Sequence, residues 1–195
     1  LPWTKADYAR TLGATIAYFL NSQRDAVGLA VFDDKIKEFL PARHRSGQLR
    51  RMLVSLERTP EGKASDLVRP LDEFLTLAKK PALVWLISDF LAPLDGLEKR
   101  LAWLRGRGHD VRLVQVVDPR EEDFHFEEGG QFEDMETGRR LILSPAAIRR
   151  QYVERFKTHR QVLANMVAKE GISLRSVRTD ESLVGVLGQL VTGRG

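Results

Sequence analysis

The stretch Ala82-Leu-Val-Trp-Leu-Ile-Ser-Asp-Phe90 decides the fold of this chain. Its first six residues, 82–87, are all apolar, lack polar alternation, and are too few to cross a membrane. This pattern predicts a parallel strand that is covered on both faces. Because Asp89 ends the strand, its carboxylate is expected at the rim of the sheet, where α/β folds bind ligands.

Strands and helices alternate on both sides of this stretch. Further strands are predicted over residues 27–32, 36–40, 111–117 and 172–177. Helices are predicted over 5–22, from Ser46 to before Pro60, from Ser65 onward, around Leu97–Leu104, over 145–169 and over 183–190. The order predicts a single α/β domain over residues 1–195, with a mostly parallel sheet and helices on both faces.

Two details of this prediction depend on single residues. Pro41 is expected to stop the second strand, because it cannot donate a backbone hydrogen bond to a neighbouring strand. Ser46 is expected to cap the following helix, whose apolar positions Leu49, Leu53 and Leu56 predict its buried face.

The pattern changes after Pro119. Residues 118–136 hold nine acidic side chains and one Arg, and 136–138 resembles a turn between short strands over 131–135 and 139–143. We therefore predict an acidic loop and β-hairpin insertion over 118–144. This insertion suits contact with a protein, and it suits full solvation equally well.

Composition narrows the class of protein. The chain has 195 residues, no cysteine and a net charge of +4 with both signs interspersed, so a nucleic-acid partner is not expected. The lack of cysteine excludes disulfides and a cysteine nucleophile, and it fits a reducing compartment. We predict a cytoplasmic location with no membrane contact by this segment.

Enzymatic motifs are absent from the sequence. It contains no phosphate-binding loop, no Gly-x-Ser-x-Gly elbow and no dinucleotide fingerprint. A triad of Ser88, His109 and Asp118 can be drawn, but Ser88 and His109 are expected at opposite ends of neighbouring parallel strands. We predict a non-enzymatic protein, with a metal-dependent hydrolase on a Rossmann-like sheet as the alternative.

Several charged residues have two readings. Asp33 and Asp34 follow a predicted strand, where they could line the rim or simply form a turn. The basic residues Arg43, Arg45, Arg50 and Arg51 could receive an acidic partner or a phosphate, or they could form a solvated face, which is favoured. His159 is expected to be a half-buried helix residue, because the histidines lack metal-ligand spacing.

Successive phrases of the sequence carry a family resemblance. Residues 27–34 (VGLAVFDD), 86–90 (LISDF) and 105–110 (RGRGHD) resemble bacterial von Willebrand factor A-like proteins of domain-of-unknown-function family 58. Residues 117–119, 132–138 and 178–181 extend the resemblance to the C-terminus. It implies a Rossmann-like, von Willebrand A-type three-layer sandwich, encoded beside a MoxR-type AAA+ ATPase.

The resemblance also implies a metal-ion-dependent adhesion site. Asp89 matches the aspartate that ends a central strand in the family, and Ser65 stands where the family has a threonine ligand. The family's Asp-x-Ser-x-Ser loop does not occur in this sequence. We therefore expect a domain that lacks its first strand and an incomplete site, with Mg²⁺ in a longer protein and none bound by this fragment.

These expectations together predict an adaptor. A cation at the rim would complete its coordination with an acidic side chain of a partner, which would couple the domain to a MoxR-type ATPase or its client. The resemblance also allows a membrane anchor upstream of residue 1.

Overall fold

The computed structural model describes residues 3–58, 66–123, 132–133, 140–141 and 145–192, in which helices and strands alternate as predicted. The helices are α1 (Lys5–Ser22), α2 (Gln48–Glu57), α3 (Val68–Leu77), α4 (Leu97–Gly106), α5 (Pro119–Asp123), α6 (Pro145–Lys169) and α7 (Leu183–Thr192). The strands are β1 (Val27–Phe32), β2 (Ile36–Arg43), β3 (Leu83–Ser88), β4 (Asp110–Val117), β5 (Phe132–Glu133), β6 (Arg140–Leu141) and β7 (Ser173–Arg178).

The central sheet is parallel and has three strands in the order β3-β4-β7. Strand β3 is an edge strand of this sheet, and most of its residues are therefore half-buried rather than fully covered. Two antiparallel pairs, β1-β2 and β5-β6, complete the strands of the described ranges. The prediction of a mixed α/β fold with a parallel sheet is confirmed. Strands β5 and β6 pair within the predicted hairpin, whose turn lies outside the described residues.

Helices cover both faces of the parallel sheet. On one face α1 and α7 pack against alternate residues of β4, Val114 and Val116. On the other face α3, α4 and α6 pack around Leu113, whose side chain points the opposite way. This alternation follows from the two-residue period of a strand and places one apolar layer on each side of the sheet.

The prediction that Pro41 stops the second strand is wrong, since β2 continues to Arg43. Pro41 is exposed in a two-stranded hairpin, where a residue without a backbone N–H is tolerated. The pairing register shifts between Val27 and Leu29. Between them, Gly28 approaches the partner strand so closely that an added Cβ would lie 2.7 Å from the Leu40 oxygen. A glycine therefore permits the irregularity that accommodates the proline.

The predicted cap of α2 is also wrong, and its predicted buried face is right only in part. The residue that precedes the helix is Gly47, in a left-handed conformation with φ of 78°, and it makes no side-chain cap. The helix fully buries Gln48, Met52 and Ser55, whereas of the predicted leucines Leu49 is only partly buried against the same cluster and Leu53 is exposed. The physical reason is that the Gln48 amide donates to the backbone oxygens of Val27 (3.1 Å) and Pro41 (3.0 Å), which fixes the rotation of the helix against the hairpin.

Candidate functional site

Asp89 lies at the C-terminal end of β3, in a turn that its own side chain helps to form. The Ser88 hydroxyl accepts a hydrogen bond from the Phe90 N–H at 3.1 Å. Asp89 Oδ1 accepts from the Leu91 N–H at 3.2 Å. These local side-chain bonds offer the backbone an alternative to the sheet and end the strand.

Phe90 adopts a left-handed backbone conformation, with φ of 54°, although it is fully buried. This conformation costs about 1–2 kcal/mol in a residue with a Cβ. Burial of the aromatic ring contributes roughly 1.5–3 kcal/mol and offsets that cost. The Phe90 oxygen accepts a hydrogen bond from His159 Nε2 on α6 at 2.6 Å. Because a carbonyl only accepts, Nε2 carries a proton.

Gln115 connects this turn to the rest of the sheet. It is fully buried in β4, between β3 and β7. Its Nε2 donates to the Asp89 backbone oxygen at 3.1 Å, and its Oε1 accepts from the Ser176 hydroxyl on β7 at 3.0 Å. One amide therefore links all three strands at the rim, with both of its polar ends hydrogen-bonded.

Lys5 crosses to the rim from the first turn of α1. Its Nζ lies 2.8 Å from Asp89 Oδ2 and 2.6 Å from Glu121 Oε1 on α5. The three side chains are 25%, 32% and 24% exposed. Burial lowers the pKa of Lys5, but its bonds to Asp89 and Glu121 outweigh that effect and raise the pKa above 10.5. The ammonium group is therefore charged at neutral pH. We call Lys5, Asp89, Phe90, Gln115 and Glu121 the Asp89 rim.

The surroundings of the Asp89 rim are also charged. Arg160 on α6 donates to Glu122, and Arg178 Nη1 lies 3.8 Å from the same carboxylate. Tyr152, also on α6, has a raised pKa because it is partly buried and because Glu121 disfavours a second negative charge. Residues of α1, β4, α5, α6 and β7 are therefore bonded to the Asp89 turn, either directly or through Lys5 or Gln115.

A groove of about 950 Å³ lies beside the rim, between α6 and the connection from β3 to α4. His159 lines this groove and also holds the Phe90 oxygen. Val162, one turn further along α6, exposes 49% of its surface there. The groove thus combines exposed apolar surface with a direct contact to the turn that carries Asp89.

Ser65, the second predicted ligand, lies outside the described residues. The adjacent Asp66 donates its N–H to the Asp33 oxygen at 3.3 Å, at the end of β1, and its carboxylate accepts from the N–H of Val68. The predicted helix start at Ser65 is wrong, because α3 begins at Val68. A pairing of Ser65 with Asp89 stays a prediction.

Asp33 forms a turn, in agreement with the simpler of its two readings. Its Oδ1 accepts from the N–H groups of Asp34 (2.6 Å) and Lys35 (3.3 Å), and Oδ2 lies 3.1 Å from Lys37 Nζ. Desolvation raises the pKa of Asp33, but these donors prevail and lower it to about 2. Its oxygens are therefore engaged within the turn after β1.

The described residues do not fit the magnesium site that the resemblance implies. Asp89 uses Oδ1 for the Leu91 N–H and Oδ2 for the Lys5 ammonium. Within the described ranges, no three His, Cys, Asp or Glu side chains are grouped so that they could hold a metal ion. A hard divalent cation requires six or more oxygens, and here the matching carboxylate already contacts a cation.

The separation predicted for Ser88 and His109 is confirmed. Ser88 is paired with Gln115 at the C-terminal end of β3, whereas His109 directly precedes Asp110, which is paired with Leu83 at the opposite end of β3. His109 is buried at that end. The two side chains therefore do not form a triad with Asp118.

Sequence reasoning missed Lys5, Gln115, Glu121 and the contact of His159. Two of them left a signal. Gln115 interrupts the apolar strand 113–117, and a buried polar group there needs partners. Lys5 lies in the first turn of a helix, where the helix dipole disfavours a cation, so a nearby acidic group could have been inferred. Glu121 and His159 carried no comparable signal.

Comparison with curated proteins finds mycobacterial relatives. An uncharacterized protein of Mycobacterium tuberculosis is 25% identical over 196 residues, which is 97% of this chain and 61% of that protein. The chain thus spans less than two thirds of the length of this relative. An uncharacterized protein of Mycobacterium avium is 26% identical over 153 residues, covering 78% of this chain and 89% of that protein.

Two solved structures share the fold at low sequence identity. One is described as the conserved hypothetical protein BatB from Bacteroides thetaiotaomicron, with a TM-score of 0.55, 14% identity, and coverage of 96% of this chain and 87% of that one. The other is an aerotolerance-related membrane protein from Bacteroides fragilis, with a TM-score of 0.58, 15% identity, and coverage of 96% and 88%. In the part of this chain that the structure describes, no helix is long and apolar enough to span a bilayer.

The family comparison is consistent with the resemblance seen in the sequence. The family described as "Protein of unknown function DUF58" matches residues 2–162, which is most of the chain. The chain belongs to this DUF58 family.

Proposed function

We propose that this chain is a non-enzymatic protein-interaction domain of von Willebrand A-type architecture, which contacts its partner through the Asp89 rim. The observation that carries the proposal is the rigid placement of one partly exposed carboxylate. The turn of Asp89 is bonded to β4 through Gln115 and to α6 through His159, and 32% of the Asp89 side chain stays accessible.

The left-handed Phe90 supports a functional reading of this turn. Strained backbone conformations persist where the surrounding structure fixes them, and they cluster at binding and catalytic sites. A carboxylate held in place loses little conformational entropy when a partner binds, which favours affinity. The adjoining groove, with exposed Val162, offers apolar surface to the same partner.

The partner is proposed from the family resemblance. We propose a MoxR-type AAA+ ATPase or its client, in the cytoplasm, with the Asp89 rim as the contact. The contact proposed here does not depend on the Mg²⁺ ion that the resemblance implies for a longer protein.

Affinity measurements with an Asp89 variant test this proposal. We would titrate the purified MoxR-type ATPase of the same organism into the wild-type chain and into Asp89→Asn by calorimetry. The asparagine keeps an oxygen for the Leu91 N–H and removes the charge, so we expect the Kd to rise about tenfold or more.

The matched control is Asp25→Asn. Asp25 is exposed just beyond the far end of α1, roughly 25 Å along the helix from Lys5. This variant should bind as the wild type does. Equal affinity of the wild type and Asp89→Asn would contradict the proposal. Turnover of phosphoester or ester substrates that disappears in Asp89→Ala would instead assign a hydrolase.

A further inference from the structure

The position of Lys5 is unfavourable for its own helix. It is the first residue of α1, where the N-terminal end of the helix dipole repels a cation. Its aliphatic stem and ammonium group are three quarters buried, which adds a cost of desolvation. The stability of α1 therefore does not explain why a lysine occupies this position. The explanation must lie in the groups that the ammonium contacts.

Those partners are two carboxylates from distant parts of the chain. Asp89 and Glu121 lie 84 and 116 residues from Lys5, and both contact the same Nζ atom, at 2.8 and 2.6 Å. Without Lys5, the carboxylates of Asp89 and Glu121 would place two negative charges close together in one partly buried site. Such a pair either takes up a proton or binds a cation.

The Lys5 ammonium group contacts Asp89 Oδ2, the oxygen with which a metal ion would have to coordinate. The other oxygen of Asp89 is committed to the Leu91 N–H. A divalent ion near Asp89 would also meet a like charge within a few ångströms, at a distance where repulsion in a partly buried site is strong. Lys5 and a metal ion are thus alternatives at the rim.

We propose that Lys5 is the resident cation of the Asp89 rim, in place of the metal ion that the family resemblance implies. The inference rests on the proposed function, because it describes how the same contact surface keeps its charge balance. The rim then binds its partner without a metal ion, and the charge, geometry and exposure of Asp89 are set by a side chain of the same chain.

Titration with Mn²⁺ tests the inference. Free Mn²⁺ is followed by electron paramagnetic resonance in the wild-type chain, Lys5→Met and Lys5→Arg. We expect Lys5→Met to bind Mn²⁺ about tenfold more tightly than the wild type, because it exposes both carboxylates. Lys5→Arg keeps the charge and should behave as the wild type does.

The double variant Lys5→Met with Asp89→Asn identifies the site. It should lose the Mn²⁺ binding that Lys5→Met gains. Titrations of the wild type and Lys5→Met that coincide, whether both bind or neither does, would overturn the inference. Thermal melts of all four proteins, each showing one cooperative transition, establish that the comparison is made between folded chains.

A second readout separates this inference from the proposed function. Binding of the MoxR-type ATPase to the wild-type chain should be unchanged by excess EDTA, when ATP and Mg²⁺ are absent throughout. Loss of binding in EDTA would overturn the role of Lys5 and leave the Asp89 contact standing. Unchanged binding by Asp89→Asn would instead remove the proposed function.

Discussion

At the scale of single residues, Asp33 and Asp89 show how similar sequence positions acquire different roles. Both aspartates follow apolar strands. Asp33 directs its oxygens to the backbone of its own turn and to Lys37 four residues away. Asp89 gives only Oδ1 to its turn and directs Oδ2 to Lys5 on another element. The first aspartate is therefore local in its effect, and the second connects distant parts of the chain.

The lowered pKa of Asp33 predicts a contribution to acid stability. Its folded-state pKa of about 2 lies below the ordinary value of 3.8, so the stabilisation is complete above pH 3.8 and is lost as the pH falls through about 2. Asp33→Asn should lower the free energy of unfolding near neutral pH, and that free energy should then vary less between pH 4 and pH 2. Urea denaturation at a series of pH values from 2 to 7 measures the free energy of unfolding.

Asp34→Asn is the control for this prediction. Asp34 belongs to the same turn, but its side chain is about half exposed, and its nearest cation, Lys37, lies at 3.5 Å. The substitution should change the free energy of unfolding less than Asp33→Asn does. If the free energy of unfolding of Asp33→Asn ran parallel to that of the wild type from pH 4 to pH 2, the turn would not stabilise the charged Asp33 carboxylate.

At the scale of elements, the rim depends on how β4 is linked to its neighbours. Gln115 is the only residue described here whose side chain bonds both the β3 turn and β7. The adjoining β4 residues Val114 and Val116 are buried among apolar side chains. A single amide in an otherwise apolar strand therefore connects the Asp89 turn to β4 and, through Ser176, to β7.

Gln115→Leu should lower the free energy of unfolding by about 1–3 kcal/mol. The substitution leaves the Asp89 oxygen and the Ser176 hydroxyl without this partner in a partly buried site. Urea denaturation measures the change. Ser176→Ala removes only one of the two bonds and should cost less. A Gln115→Leu protein as stable as the wild type would show that neither bond matters to the fold.

Much of the element order could be predicted from the sequence, because apolar periodicity reports burial directly. The bounds of α1 and β1 agree with prediction, and a helix is present over Leu97–Leu104 as predicted. The face of α2 could not be predicted, since its rotation depends on hydrogen bonds from Gln48 to the β1-β2 hairpin. Periodicity of apolar residues contains no information about such bonds.

At the scale of the whole molecule, the candidate site is an assembly of distant segments. The sequence placed Asp89 at the sheet rim, because a carboxylate that ends a parallel strand must lie there. It could not place Lys5 or Glu121 beside it, since those contacts depend on how α1 and α5 pack over the rim. The charged environment of Asp89 is thus a property of the tertiary fold.

The central claim is that the partner contacts the Asp89 rim, and hydrogen exchange in the complex tests it most directly. We predict that the MoxR-type ATPase slows amide exchange at Phe90–Ala92 and in the part of α6 around His159. The start of β4 near His109 lies at the opposite end of the strands from Asp89, and its amides should exchange at an unchanged rate. Protection confined to the start of β4, with the Phe90–Ala92 amides unaffected, would contradict the account.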